Sequence, residues 1–480
     1  MVGRGQRGIW WVDVAKLDWV ITGGRVVLPT GVHRIDIGIN NGTIESIFAP
    51  GTEVSADRRF DAGGRYVIPG GVDAHVHFEN PSMGTTTAHD FRMGTEAALL
   101  GGTTTVIDFA FQREGESLLA AIARRRRDAD PQVVCDYGLH GCLTSPDTRS
   151  IDEIPEAVTL GMPSVKFFMT YREEGWAVSD AQLLAAMRHL AKTGGTALVH
   201  AENDELLQVG IETCRESGDL SPGGHARSRP ALLEAEAIQR AVLYARESGC
   251  RLFVVHVSSE SGVEAVRAGQ GHVAPVLAET CPHYLAFDDS VLDGPMGHRY
   301  VMSPPLRPAG NPEALWRALD EGSLQSVGSD DAAYFEEFKL RGKTDFRKIA
   351  NGVPGVQIRL PLLFSEGVLK RGMAMDRFVE VTCTEPARIF GLFPKKGVVA
   401  VGSDADLVVL DDSVTWEPTV ETMHTSIEYT LYEEMTLRGR PTHVWRRGEL
   451  VVEDGELNAA PGSGRLVRRA PAAIVSRSSR

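Results

Sequence analysis

Two histidines one residue apart, in Asp73-Ala-His75-Val-His77, follow the apolar run Tyr66-Val-Ile-Pro-Gly-Gly-Val72. In a β-strand, side chains i and i+2 project from the same face, so the two imidazoles emerge together as half a site for a divalent metal. Other short apolar runs carry one chemically capable residue each. Lys166 lies within Ser164-Val-Lys166-Phe-Phe-Met-Thr-Tyr171, and His200 ends Thr196-Ala-Leu-Val-His200 before Ala-Glu202-Asn203. His256 ends Arg251-Leu-Phe-Val-Val-His256, and Asp330 ends Gln325-Ser-Val-Gly-Ser-Asp330. Four imidazoles and a carboxylate can hold two borderline-soft divalent ions, with zinc the first choice. Lys166 is the odd member, because an ammonium has three donors and no acceptor. It must shed its proton or be modified, and a carbamate on its amine would supply an anionic ligand able to bridge two metals. The plainer alternative is an ordinary lysine whose head reaches the mouth of the fold.

The elements that position these residues alternate. Ser179-Asp-Ala-Gln182 reads as a capping box, followed by Leu183, Leu184, Met187 and Leu190 at helical spacing. Gly194-Gly195 stops that helix before the 196–200 strand, and a helix from Glu234 to Glu247 ends at Gly249 before the 251–256 strand. The chain is therefore α/β, with its chemistry at the C-terminal ends of strands, as on a (β/α)8 TIM-type barrel. A doubly wound open sheet is the other architecture, but it gathers its ligand at one switch point.

Residues 18–62 have another style. Trp19-Val-Ile, Arg25-Val-Val-Leu, Ile35-Asp-Ile-Gly-Ile39 and Thr43-Ile-Glu-Ser-Ile47 are short strands, and Asn40-Asn41-Gly42 makes a hairpin turn. The same style returns in Ala405-Asp-Leu-Val-Val-Leu410, Thr442-His-Val-Trp445 and Glu449-Leu-Val-Val-Glu453. Neither segment alone can bury a sheet face, so the two should pack as one small β-sandwich beside the barrel. The expected division is sandwich 18–67, barrel 68–395, sandwich again 396–460, and an arm 461–480. That Gly/Ser/Arg/Ala-rich arm should be disordered or reach a neighbouring subunit.

With 42% hydrophobic residues over 480 positions, the chain can bury a large core. A net charge of −14 argues against a nucleic-acid partner. The Arg124–Arg127 run, after Leu118-Leu-Ala-Ala-Ile122, reads as the solvated end of a helix. Six cysteines without a Cys-x-x-Cys pair read as reduced thiols of a cytoplasmic protein. No apolar run approaches the ~18 residues of a membrane span, and the first twenty residues lack the apolar core of a signal peptide. His33, His89, His140, His189, His272, His298, His424 and His443 have only core or surface settings.

The segments around His75, Lys166, His200, His256 and Asp330 together resemble those of cyclic amidohydrolases, most closely the dihydropyrimidinase/hydantoinase family. Gly101-Gly-Thr-Thr-Thr-Val-Ile-Asp108-Phe, His225-Ala-Arg-Ser-Arg-Pro230, Glu279-Thr-Cys-Pro282, Lys396-Gly-Val-Val-Ala-Val-Gly-Ser-Asp-Ala-Asp406 and Pro461-Gly-Ser-Gly-Arg-Leu-Val-Arg468 extend the likeness over roughly residues 18–470. The resemblance implies that His75 and His77 bind the more buried metal, completed by Asp330, and that His200 and His256 bind the more exposed one. Carboxylated Lys166 would bridge the two ions, zinc being expected. Tyr171, Ser303 and Asn351 would hold the ring amide and the developing oxyanion; read alone, Ser303 and Asn351 are turn residues beside Pro and Gly. A homotetramer is implied too, with the 461–480 arm as a candidate contact.

The implied reaction is hydrolytic opening of a cyclic amide, hydantoin or dihydropyrimidine, to an N-carbamoyl amino acid. A metal-bridging hydroxide would attack while Asp330 takes its proton and delivers it to the leaving ring nitrogen, with Tyr171 steadying the oxyanion. Asp73 should orient a histidine through a hydrogen bond. Dihydroorotases carry an arginine two residues after the second histidine; Glu79 stands there and would repel an anion. Phe78, Met83, Phe168 and Met169 are candidates to line a pocket for an apolar ring substituent. Two departures stand out. Asp331-Ala332 replaces the family's common His-Cys, which should put an extra carboxylate near the mouth. His283, in Cys-Pro-His-Tyr284, is more reminiscent of allantoinases, the alternative activity; a non-catalytic scaffold is the remaining class.

Overall fold

Eight short strands run parallel in chain order: Gly71–Val76, Thr103–Phe111, Asp136–Cys142, Ser164–Phe168, Thr196–His200, Arg251–Val254, Val276–Thr280 and Ser326–Val327. The computed structural model in which they are seen describes residues 16–144 and 147–472. A parallel bridge between Val76 and Asp331 brings the last strand back to the first and closes the barrel. The strands are buried almost throughout because helices cover the outside while side chains fill the inside. Inward positions alternate along each strand, so Ile107, Phe109 and Phe111 join Leu198, Phe253 and Val255 in one interior cluster. Phe390, after the Glu385–Ile389 helix, meets Phe253 at 5.0 Å and fills the cluster from below.

The helix signals act as expected. Ser179 and Gln182 form the reciprocal capping box of the Asp180–Thr193 helix, and Gly194 ends it at φ 72°. Gly249 ends the Ala231–Ser248 helix at φ 73°. The flanking strands build a sandwich. One sheet has the order Thr43–Phe48, Asp36–Asn40, Leu17–Thr22, Ala56–Asp61. In the other, Leu407–Trp416 from the C-terminal part runs antiparallel to Tyr66–Pro69 from the N-terminal part. Ile37, Ile39, Ile44, Val67, Leu407 and Trp445 share the core between them. The turn residues Asn41 and Gly42 both have positive φ, which gives the hairpin the twist of its strands.

A buried ionic cluster fastens sandwich to barrel. Lys396 Nζ, 1% exposed, lies 2.6 Å from Asp136 at the start of a barrel strand, 2.9 Å from Asp404 and 2.7 Å from Asp406. Removing one partner of such a cluster strands the others, at a cost of about 3–5 kcal/mol. Lys396→Met is accordingly expected to lower the urea midpoint by that equivalent, with turnover per folded, metal-loaded chain unchanged. An unchanged midpoint would show that the cluster is neutral.

Two sequence expectations are corrected. Within the Leu118–Ala129 helix, Arg126 and Arg127 are exposed, but Arg125 is buried. It pairs with Asp108 at 2.7 Å and donates to the Phe78 carbonyl, because the helix crosses the barrel strand there. The arm, as far as residue 472, neither dangles nor leaves the molecule. Tyr137 N–H donates to Arg465 O at 2.9 Å and Val467 N–H donates to Tyr137 O at 2.7 Å, so the arm lies against the barrel strand beginning at Asp136. Gly464 makes this possible: a Cβ there would stand 1.9 Å from the Cys135 carbonyl. Arg469 is buried and donates to Ser164 Oγ at 3.0 Å and to the Leu139 carbonyl. Residues 473–480 of that expectation lie outside the described residues.

Candidate metal centre

At the C-terminal end of the barrel, His75, His77 and Asp330 present ligand atoms that all lie within 4.8 Å of one another. Asp330 Oδ1 is 3.1 Å from His75 Nε2 and 3.2 Å from His77 Nε2. His75 Nε2 is buried and has no hydrogen-bond partner among the described residues, so it faces this cluster without being satisfied by it. Convergent imidazoles and a carboxylate with an unsatisfied buried nitrogen fit a divalent cation. The second histidine pair adjoins. The His200 and His256 rings are 4.5 Å apart between centroids, and His256 is 5.5 Å from His75. His256 Nδ1 likewise has no partner among the described residues.

Lys166 comes up between these pairs, 1% exposed, with its Nζ 5.2 Å from the rings of both Phe109 and Phe168. Among the described residues no carboxylate stands within ion-pairing distance of it, and burial pushes its amine down to about 8. Burial alone would raise the Asp330 carboxyl. The neighbouring His75 and His77 outweigh it and hold the group well below the usual carboxylate range. Burial lowers His77 to about 4, despite the opposing pull of Asp330. It also lowers His200 and His256, so these three imidazoles are neutral and have lone pairs to give.

The backbone is strained around this cluster. Tyr171, His256 and Asp330 have φ of 71°, 41° and 49°, a region that costs non-glycine residues about 1–3 kcal/mol each and persists only where the surroundings impose it. Tyr171 stands 5.2 Å from His200, with the Ser303 hydroxyl beside its own, and burial raises its phenol to about 12. It is a neutral donor. Tyr171, Ser303 and Asn351 line one cleft with His77, Asp330, His200 and His256, and Asn351 Oδ1 is without a partner among the described residues.

Other sequence expectations change here. Met83 and Phe168 line that cleft, whereas Phe78 packs on Phe91 and Gly94 and Met169 belongs to the core outside the barrel. Glu79 is exposed and turned from the cleft, so it repels nothing there; the described lining simply contains no arginine. Asp331 is 1% exposed and bonded to His89 and two backbone amides, so it adds no carboxylate to the mouth. His283 is fully buried against Tyr284, behind the lining. Asp73 holds backbone, accepting from His75 N–H at 3.2 Å and Ser329 N–H at 3.1 Å, and among the described residues makes no hydrogen bond to an imidazole ring.

The ring-orienting work falls to residues that sequence reasoning passed over. Glu279 Oε1 holds His75 Nδ1 at 2.5 Å, leaving Nε2 for the cluster. Glu202 Oε2 holds His200 Nε2 at 2.8 Å and is itself gripped by Arg229 at 2.9 Å. Burial would raise Glu202, but Arg229 and His200 prevail and keep it ionised. Both glutamates sit at or just past strand ends, the same signal that singled out the histidines. His140, given no role from sequence, bonds the Ala74 carbonyl at 3.0 Å and Ser164 Oγ at 2.6 Å beneath the His75 strand.

A barrel with histidines and an aspartate converging at its C-terminal mouth defines the amidohydrolase class, and residues 66–451 match the amidohydrolase family model. The chain is 39% identical over 455 residues to D-hydantoinase of Geobacillus stearothermophilus, covering 94% of this chain and 96% of that one. It is 37% identical over 461 residues to dihydropyrimidinase of Rattus norvegicus, covering 94% and 89%. The solved dihydropyrimidinase of Brevibacillus agri superposes with a TM-score of 0.92 at 36% identity, over 95% of this chain and 99% of that one. The chain belongs to the hydantoinase/dihydropyrimidinase family of amidohydrolases.

Proposed function

We propose that this chain hydrolyses the ring C–N bond of a neutral cyclic amide, a hydantoin or dihydropyrimidine, to give an N-carbamoyl amino acid. The observation that carries this reading is the convergence of His75, His77 and Asp330 beside His200, His256 and a buried Lys166 that, among the described residues, has no ion-pair partner, in a cleft whose described lining contains no arginine. His75, His77 and Asp330 would hold one divalent ion, His200 and His256 a second, and Lys166 as a carbamate would bridge them. Zinc suits this donor set. An amine lowered to about 8 has the free base needed to take up carbon dioxide. When bound, such ions would lower the pKa of a coordinated water and polarise the substrate carbonyl.

Asp330, ionised and beside the cluster, takes a proton from the attacking water and returns it to the ring nitrogen as the C–N bond breaks. Tyr171, protonated to about pH 12, donates to the oxygen of the carbonyl under attack. Ser303, whose hydroxyl lies beside that of Tyr171, and Asn351 hold the ring amide. We place the chain in the cytoplasm, in keeping with its six free, buried cysteines, and read it as a homotetramer with a barrel of 68–395 and a sandwich of 18–67 and 396–460. Sizing as a monomer would refute that assembly. Among the described residues no helix is long and apolar enough to cross a membrane.

A substrate panel tests the activity. Hydantoin, 5-substituted hydantoins and dihydrouracil should be opened by the zinc- or manganese-loaded protein, with dihydroorotate untouched for want of a cationic partner. Opening of allantoin or dihydroorotate alone would overturn the neutral-ring reading. For the second ion, Glu202→Gln is expected to weaken retention by about 10–100-fold, because the partner fixing His200 is diluted. Unchanged chelator titrations would remove Glu202 from that role.

A further inference from the structure

Asp331 follows Asp330, and its carboxylate faces away from the cleft. One oxygen accepts from His89 Nδ1 at 2.9 Å, and the other accepts from Gly355 N–H at 2.8 Å and Val356 N–H at 3.0 Å. Its peptide is pinned too. The Asp331 carbonyl accepts from His77 N–H at 2.9 Å, and the residue bridges Val76 on one side and Val353 on the other. His89, 2% exposed, extends the chain to Thr425 Oγ1 at 2.9 Å, while its carbonyl accepts from Glu79 N–H at 2.7 Å. One satisfied carboxylate thus ties three segments together: the strained Asp330, the loop carrying Asn351, and the stretch after His77. The fit is close, since a Cβ on Gly352 would stand 2.5 Å from the Ala332 carbonyl.

We propose that Asp331 and His89 form a positioning pair that sets Asp330 and Asn351 relative to each other in the cleft lining. The pair itself reaches neither cleft nor metal ligand side chains. A buried polar pair of this kind is weak evidence for stability, and replacing both members by apolar residues is often neutral for folding. Its value here is geometric, because misplacement by an ångström at a reacting centre costs about 10²-fold.

The proposal rests on the hydrolase reading above, so hydantoin turnover by the unmutated, metal-loaded protein is the control. If that control is inactive, the hydrolase reading fails and not the pair. With an active control, Asp331→Leu and the double variant His89→Leu/Asp331→Leu are expected to lower kcat about 30-fold or more and raise KM, with metal content per chain unchanged. Asp331→Asn, which can still accept from both amides and donate to His89, should stay within about threefold. The double variant should be no worse than Asp331→Leu, since the two residues act as one unit. Should Asp331→Leu fail to fold, the double variant, which strands no buried charge, carries the comparison with Asp331→Asn. Turnover within threefold of the control in a folded, metal-loaded leucine variant would overturn the proposal. So would a loss in the double variant equal to the product of the losses of Asp331→Leu and of His89→Leu measured singly.

Discussion

Asp330→Asn is expected to fold, to occupy the same backbone conformation, and to lose about 10³-fold or more of hydantoin turnover. Asparagine is among the few residues that enter the left-handed region readily, so the φ of 49° at this position is kept. The amide also retains an oxygen towards His75 and His77. What disappears is a group that can accept and then return a proton, a function worth about 10²–10⁴-fold by itself, together with the negative charge that favours a cation at this corner. The comparison is kcat of the variant and the parent at matched metal content. A variant keeping more than a tenth of the parent's kcat would assign proton transfer elsewhere.

Lys166→Met is expected to be as damaging to activity and to leave the fold intact. The methionine fits the slot between Phe109 and Phe168 and removes a buried amine that has no carboxylate within ion-pairing distance among the described residues. The metal-free variant should therefore melt no lower than the metal-free parent. Metal content should fall from two ions per chain to one or none, and turnover by about 10³-fold. Retention of two ions at parental affinity would show that the lysine bridges nothing.

Much of the fold was legible because its signals are local. Period-two runs, the Ser179–Gln182 capping box and the glycine stops at 194 and 249 each act within a few residues, and each appears in the structure. The convergence of His75, His77 and Asp330 was legible for a related reason. A barrel places every strand end at one mouth, so residues far apart in sequence converge once the alternation is recognised. What could not be read is whatever depends on pairing across the fold. Asp331 looked like a charge at the mouth until its partners, His89 and the 355–356 amides, came from other segments. Arg125 looked solvated, like its neighbours, until helix packing set it on Asp108. The 461–472 stretch has the composition of a free tail, and only its glycine-permitted approach to the barrel reveals a strap. Glu202 and Glu279 are a different case, because the strand-end rule applied to acidic residues would have found them.

The most direct test is metal analysis joined to turnover on one preparation. The purified chain is stripped with a chelator, then titrated with zinc in the presence of bicarbonate while opening of hydantoin and bound metal per chain are followed together. Two ions per chain are expected, with no turnover in the stripped protein and activity rising as the second ion binds. Hydantoin opening by the fully stripped chain, or a metal-loaded chain inert towards every cyclic amide in the panel, would contradict the assignment of this centre to hydrolysis.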